Sequence, residues 1–70
     1  MNKIEGKVLK YNGISGTIID QNNNEYLMIK NNIKDDEVIL ANDIVIFIPE
    51  IFKTVEIEEN VATFIEKKKI

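Results

Sequence analysis

Glycine and asparagine residues divide the first half of the chain into short apolar runs, and this spacing constrains the fold more than any other feature. The runs are three to five residues long and span residues 7–11, 17–19 and 26–29. Asn12, Gly13 and Gly16 punctuate the first junction, and residues 20–24 punctuate the second. Gly and Asn tolerate the positive φ angles that tight hairpins need. The pattern therefore predicts three short strands in a meander over residues 6–33, and no periodic apolar stripe of a helical bundle is present.

The second half of the chain continues the β pattern after a polar connection at residues 31–37, which has room for one helical turn. Residues 44–48 are apolar and mostly β-branched, which predicts a strand buried on both faces or covered by a partner, and Pro49 ends it. Residues 50–60 alternate apolar and polar side chains without a Gly, which indicates either a long excursion or an added strand. Residues 61–65 are predicted to form the last strand.

Chain length favours a single closed architecture for these strands. Seventy residues make one domain near the lower limit for a self-sufficient hydrophobic core. Closing five strands into a barrel removes exposed sheet edges, and the chain is too short for two packed sheets. The sequence thus predicts an all-β, five-stranded OB-like antiparallel barrel over residues 1–66, followed by a charged C-terminal tail at residues 67–70.

The residue types that are missing argue against catalysis. The chain has no Cys and no His, so it lacks thiolate ligands, the commonest general base and the commonest transition-metal ligand. We expect no enzymatic activity, no catalytic residue, no cofactor and no bound metal. No signal peptide is visible, and the longest apolar run is too short to cross a bilayer. A cytoplasmic protein with no membrane contact is the expectation.

Charge is distributed unevenly along the chain. Residues 1–34 carry five Lys against three acids, a net charge of +2, whereas residues 35–70 carry four Lys against nine acids, a net charge of −5. A strongly basic domain would point directly to nucleic acid, and this chain is not one. The Lys of the predicted meander either keep strand edges soluble and block edge-to-edge pairing, or belong to a binding surface.

Four segments of the chain match strand patterns of one known family. The first-strand pattern G-x-V-x-W-F-N falls on Gly6, Val8, Lys10, Tyr11 and Asn12. The second-strand pattern, in which Gly and aromatic residues alternate before an Ile, falls on Gly16, Thr17 and Ile18. The third, D-V-F-V-H-F-S-x-I, falls on residues 25–33, and V-x-F of the fourth falls on Val45 and Phe47. The chain therefore resembles the cold-shock domain, a five-stranded OB-type barrel whose members bind single-stranded nucleic acid by stacking bases on aromatic rings and a His.

Most of these stacking positions carry other residues in this chain. Lys10 stands where the family has a Trp, and Ile29 stands where it has the His. A Phe of the family is replaced at three positions: Thr17, Leu27 and Lys30. Only Tyr11 keeps a ring. Stacking contributes roughly 1–3 kcal/mol per base, so most of the affinity of such a surface would be lost.

The resemblance still implies a function and a set of residues. It implies weak, salt-sensitive binding of single-stranded RNA or DNA, micromolar or weaker, through the face of the first three strands. Lys7, Lys10 and Lys30 would meet phosphates, Tyr11 would stack on one base, and Asn12 would hydrogen-bond a base or sugar. The expected interface residues are Lys7, Lys10, Tyr11, Asn12, Thr17, Leu27, Ile29 and Lys30.

An alternative function follows from the aliphatic replacements. Leu27 and Ile29 are two residues apart and share one face of a strand, so they would expose an apolar patch where the family exposes rings. Such patches mark partner surfaces, which indicates a protein-interaction or self-assembly module, a homodimer among them, that has lost nucleic-acid binding. Two arrangements would remove the patch: a reversed register with Tyr26 and Met28 outward, or residues 51–57 folded over it.

Overall fold

Five strands closed into a barrel make up most of the structure, a computed structural model that describes residues 2–69. The strands are β1 (Ile4–Tyr11), β2 (Ser15–Asp20), β3 (Glu25–Ile29), β4 (Ile44–Lys53) and β5 (Glu58–Lys67). Their order around the barrel is β1-β2-β3-β5-β4, and β4 pairs with β1 to close it. The predicted all-β, five-stranded OB-like barrel is confirmed. One pair differs from the expected antiparallel arrangement, because β3 and β5 run parallel.

The barrel interior is filled by alternate side chains of all five strands. Each of these strands is short and apolar on its inward side, so burial of that side drives closure. The core consists of Val8, Ile18, Met28, Ile33, Ile39, Val45, Phe47, Ala62 and Ile65. The ring of Tyr26 packs edge-on against Phe47, with 5.0 Å between the ring centroids. Full burial of an aromatic or aliphatic side chain contributes about 1.5–3 kcal/mol, so these few residues hold the barrel together.

Both hairpin turns of the meander form where the sequence predicted them. Gly13 adopts a φ of 91° in the first turn, and Asn23 adopts a φ of 67° in the second. The Asn12 side-chain oxygen accepts hydrogen bonds from the backbone N–H groups of Ile14 and Ser15, both at 2.9 Å. These bonds satisfy loop donors that would otherwise need water, so the turn residues fix the register of β1 against β2.

The polar connection after β3 forms two 3-10 turns, Lys30–Asn32 and Lys34–Asp36. Ile33 lies between them, is buried, and bridges in parallel to Ile65 of β5. The connection therefore covers one end of the barrel with an apolar side chain. Its half-buried Asn32 side-chain amide donates to the Ala62 carbonyl of β5 at 3.1 Å. The sequence allowed a single helical turn here, and the structure has two.

Residues 50–60 form the protruding ends of two barrel strands. β4 and β5 stay paired from Glu50 opposite Val61 to Lys53 opposite Glu58, and the Thr54 N–H donates to the Ile57 carbonyl at 2.7 Å to close the turn. We call this segment, residues 50–60, the β4–β5 ribbon. It belongs to an excursion and adds no sixth strand. The molecule measures 39 × 23 × 20 Å, and residues 51–57 are exposed, so the ribbon does not fold over the meander.

The C-terminal boundary differs from the predicted one. β5 includes Lys67, which pairs with Val45, and the Lys68 N–H donates to the Ile44 carbonyl at 2.9 Å. Lys67 of the expected tail therefore belongs to β5, and Lys68 is still hydrogen-bonded to β4, because β4 offers backbone partners there. Ile70, also assigned to that tail, lies outside the described residues.

Candidate nucleic-acid interface

Three of the predicted site residues form one row across the outer face of the meander. Lys10 of β1 is paired with Thr17 of β2, and Thr17 is paired with Leu27 of β3. Residues directly opposite in an antiparallel sheet share a face, so all three side chains lie on the same side. The neighbours of Leu27 along β3 support this assignment, because Met28 is fully buried and Tyr26 packs on the core. The reversed register is therefore wrong.

A β-bulge in β1 sets the directions of Lys10 and Tyr11. The pairing register with β2 shifts between Val8 and Lys10, so Leu9 is an extra residue in β1. Without this insertion Val8 and Lys10 would share a face, because side chains alternate along a strand. With it, Lys10 points outward and Tyr11 pairs with buried Gly16. Tyr11 is consequently half-buried against the core rather than fully displayed.

An open groove of about 460 Å³ lies on this face of the barrel. Its lining consists of Lys10, Tyr11, Asn12, Ser15, Gly16, Thr17 and Leu27. Gly16 permits the close approach of β1 and β2 beneath it. A Cβ atom at this position would overlap the Lys10 carbonyl oxygen and lie 2.8 Å from the Tyr11 Cα, so no larger residue fits without moving backbone.

The polar groups of the groove are mostly donors. The Asn12 side-chain oxygen is already occupied by the two loop N–H groups, so its amide Nδ2 remains as a donor to a ligand. The Lys10 ammonium contributes further donors and a positive charge. A groove with this chemistry suits a ligand that is rich in hydrogen-bond acceptors and carries negative charge.

The Lys of the meander differ in their pairing from the Lys that follow it in the chain. Within residues 2–69, Lys7, Lys10 and Lys30, like Lys3 before the meander, have no carboxylate within 4.0 Å. The five Lys that do pair lie 2.7–4.0 Å from a carboxylate oxygen: Lys34, Lys53, Lys67, Lys68 and Lys69. The positive charge of the groove face is therefore not neutralised by the protein's own acids.

Three predicted site residues lie beside the groove and do not line it. Lys7 belongs to the next outward row, opposite Ile19. Ile29 pairs with Ser15 on the other side of the central row and is 36% exposed. The Lys30 N–H donates to the Ile14 carbonyl at 3.0 Å, which fixes the end of β3 against the first hairpin loop. The structure thus places five of the eight predicted residues in the groove and three around it.

The second hairpin carries the two described groups whose pKa values move. Partial desolvation raises the pKa of Asp20, but hydrogen bonds from Asn24, Tyr26 and Asn22 outweigh it and hold the pKa below its usual value. Desolvation raises the pKa of Tyr26, and its hydrogen bond to Asp20, 2.9 Å long, raises it further. Both groups are partnered within the hairpin, so their role is to hold β2 and β3 together.

The sequence did not predict the conformation or the exposure of one aromatic residue, Phe64. Phe64 adopts a φ of 49°, a region that bulky residues rarely enter, and its side chain is 61% exposed. It lies where the β4–β5 register shifts between Ile46 and Ile48, and it lines a separate cavity near Asn31. No local pattern signals this position, because the irregularity depends on pairing with a distant strand.

The described part of the chain contains no group of three or more side chains suited to holding a metal ion. Neither 3-10 turn nor any other helical segment of residues 2–69 is long and apolar enough to span a bilayer.

Comparisons with known proteins add no relative to this description. No family model matches the chain, and no curated protein is significantly similar to it. The closed five-stranded β-barrel is consistent with an OB-like fold.

Proposed function

We propose that this chain is a non-enzymatic module, similar to a diverged cold-shock protein, that binds single-stranded nucleic acid weakly through the outer face of β1–β3. The observation that supports this most is that predicted site residues from separate strands lie together in the structure. Five of the residues that the family resemblance implies, from three different strands and a loop, line a single groove: Lys10, Tyr11, Asn12, Thr17 and Leu27. Scattered solubilising residues have no reason to converge in this way.

The chemistry of the groove favours a nucleic-acid strand over a small apolar ligand. Lys7, Lys10 and Lys30 attract phosphates, which position a strand without reading its sequence. A base packs on the exposed edge of the Tyr11 ring and on Leu27, while the Asn12 amide donates to a base or sugar oxygen. With one half-buried ring, stacking contributes only about 1–3 kcal/mol in total, so the complex is micromolar or weaker.

Fluorescence anisotropy with labelled oligo-dT and oligo-U tests this function. We expect saturable binding at low salt that fades as salt rises. The slope of the logarithm of the association constant against the logarithm of the salt concentration is about −0.7 per phosphate contact for a single strand, so three Lys predict about −2. Duplex DNA of matched length serves as the comparison ligand. Absence of any signal at low salt and high protein concentration would reject the proposal.

A further inference from the structure

The β4–β5 ribbon carries four strongly exposed apolar side chains within one short segment. Ile51, Phe52 and Ile57 are 65%, 60% and 57% exposed, and Val55 at the tip is fully exposed. An isolated two-stranded ribbon is marginally stable in water, and contiguous exposed apolar side chains mark interaction surfaces. This surface belongs to no part of the proposed nucleic-acid interface.

Strand pairing arranges part of this apolar surface as one face. Phe52 is opposite Glu59, and Ile57 and Val61 lie two residues to either side of Glu59 along the chain. Side chains two apart share a face, so Phe52, Ile57 and Val61 lie together, with Glu59 among them. At its base the face adjoins Leu27, which bridges to Val61. Glu50 is opposite Val61 and two residues from Phe52, so it shares this face. The ribbon therefore offers an apolar strip that contains two carboxylates, Glu59 and Glu50.

The ribbon and the groove face carry opposite charges. Residues 50–60 contain four Glu and one Lys, a net charge of −3, and Lys53 is already paired with Glu58 at 3.8 Å. The groove face displays Lys7, Lys10 and Lys30, which have no carboxylate partner among residues 2–69, next to Leu27 and Ile29. Acidic and apolar groups on one surface thus meet basic and apolar groups on the other, which favours encounter and suppresses wrong partners.

We propose that a second copy of this chain occupies these surfaces, with the ribbon of one copy docked on the outer face of β1–β3 of the other. Two different patches meet, so the contact either closes when each copy gives its ribbon to the other or continues into a chain of copies. Direct ribbon-to-ribbon pairing is disfavoured because it places Glu beside Glu. Docking covers the groove, so self-association and oligonucleotide binding compete for the same face.

Sedimentation velocity across a range of protein and salt concentrations tests the association. The wild-type chain is expected to shift from monomer to dimer or larger species as concentration rises, and to dissociate at high salt. The variant Phe52→Ser/Ile57→Ser is expected to stay monomeric. The variant Val38→Ser/Leu40→Ser alters two equally exposed apolar residues of the loop before β4, and is expected to associate as the wild type does. Circular dichroism confirms that each variant is folded.

Charge reversal identifies which surfaces meet. Lys10→Glu and Glu59→Lys are each expected to weaken self-association, whereas an equimolar mixture of the two restores it, because each ribbon then finds a groove of opposite charge. A wild-type chain that is monomeric at every concentration overturns the proposal. So does association that survives Phe52→Ser/Ile57→Ser, or that Lys10→Glu leaves unchanged. Oligonucleotide anisotropy on the same variants separates failure of this proposal from failure of the proposed function, because Phe52→Ser/Ile57→Ser leaves the groove intact.

Discussion

The outer face of β1–β3 and the β4–β5 ribbon are both exposed β surfaces, but they differ in charge, in shape and in the exposure of their apolar side chains. The first is basic and concave, and its apolar lining side chains, Tyr11 and Leu27, are half-buried. The second is acidic, projecting, and leaves Phe52 and Ile57 largely in water. A short barrel can therefore carry two outer regions that differ in the sign of their charge and in the exposure of their apolar side chains.

The most exposed apolar surface of these two regions is the ribbon, and the sequence had indicated Leu27 and Ile29 instead. Leu27 and Ile29 do face outward, as the strand pattern predicted, but Leu27 is half-buried and Ile29 is only 36% exposed. The ribbon residues are considerably more exposed. An interaction surface is thus better supported at the ribbon than at the predicted patch, and the predicted patch is better understood as part of the groove.

The largest expected effect is on the free energy of unfolding, which a substitution in the meander should lower far more than one in the ribbon. Gly16→Ala forces a Cβ into the backbone of Lys10 and Tyr11, so we expect it to lower the free energy of unfolding by at least about 2 kcal/mol. Phe52→Ala in the ribbon removes an exposed side chain and should change it by less than about 0.5 kcal/mol. Urea denaturation of both variants measures the difference. Equal midpoints for the two variants would show that the groove floor is not constrained as described.

Gly13→Ala provides the control for backbone conformation alone. Gly13 has a φ of 91° but open space around it, so the substitution is expected to destabilise by about 1 kcal/mol through the left-handed conformation. A Gly13→Ala effect as large as that of Gly16→Ala would mean that strain, rather than close approach of β1 and β2, explains both.

The next effect distinguishes the unpaired Lys from the paired ones. Lys10→Gln removes one phosphate contact, so we expect oligonucleotide affinity at low salt to fall several-fold and the salt slope to become shallower by about 0.7. Lys53→Gln removes the same charge from the ribbon, where Lys53 is paired with Glu58, and should leave the affinity nearly unchanged. Anisotropy titrations of the two variants make the test. Identical losses would indicate that only net charge matters.

A third effect concerns acid sensitivity of the meander. The folded-state pKa of Asp20 lies below its unfolded value near 3.8, so Asp20 stabilises the fold above that pH. This contribution is lost as the pH falls through the lowered folded-state pKa. Asp20→Asn should therefore lower the melting temperature at neutral pH and flatten its decline in acid. Thermal melts from neutral pH to about pH 2 compare the two proteins. Parallel curves would contradict the role assigned to the hairpin carboxylate.

The smallest effect is expected at the strained residue of β5. Phe64→Asn replaces a bulky residue at a φ of 49° by one that tolerates this conformation, while little buried surface is lost. We expect the unfolding free energy to rise by about 0.5–1 kcal/mol. Urea denaturation measures it, with Phe52→Asn as the matched change at an exposed Phe in regular strand conformation. A clear loss of stability in Phe64→Asn would mean that the ring makes a contact worth more than the strain.

Local sequence patterns were sufficient for the strands and turns of this fold. Turn residues and apolar runs located the strands, and Gly13 and Asn23 adopt the positive φ angles that their residue types allow. The sequence left two registers open for β3, and the structure has the one in which Met28 is buried. Length and the need to remove sheet edges then led to a closed barrel. These features depend on residues near one another in the chain, which is why the sequence sufficed.

Features that depend on pairing between distant segments were not predictable. The bulge at Leu9 turns Lys10 outward and Tyr11 toward the core, and no residue pattern in the run 7–11 predicts an extra residue. The left-handed Phe64 arises in the same way from pairing with β4. The alternating pattern of residues 50–60 fitted a strand within the barrel as well as the ribbon outside it, because alternation does not show which face has a partner.

The central claim is that the groove face of β1–β3 binds single-stranded nucleic acid, and nitrogen-15 chemical-shift mapping tests it most directly. Oligo-U would be titrated into the labelled chain at low salt, with the protein concentration kept low to limit self-association. We expect amide chemical-shift changes that saturate at the same oligonucleotide concentration for four groove residues, Lys10, Asn12, Thr17 and Leu27. We expect no change at Phe52 or Val55. Shifts confined to the ribbon, or no shifts at the highest oligonucleotide concentration, would contradict it.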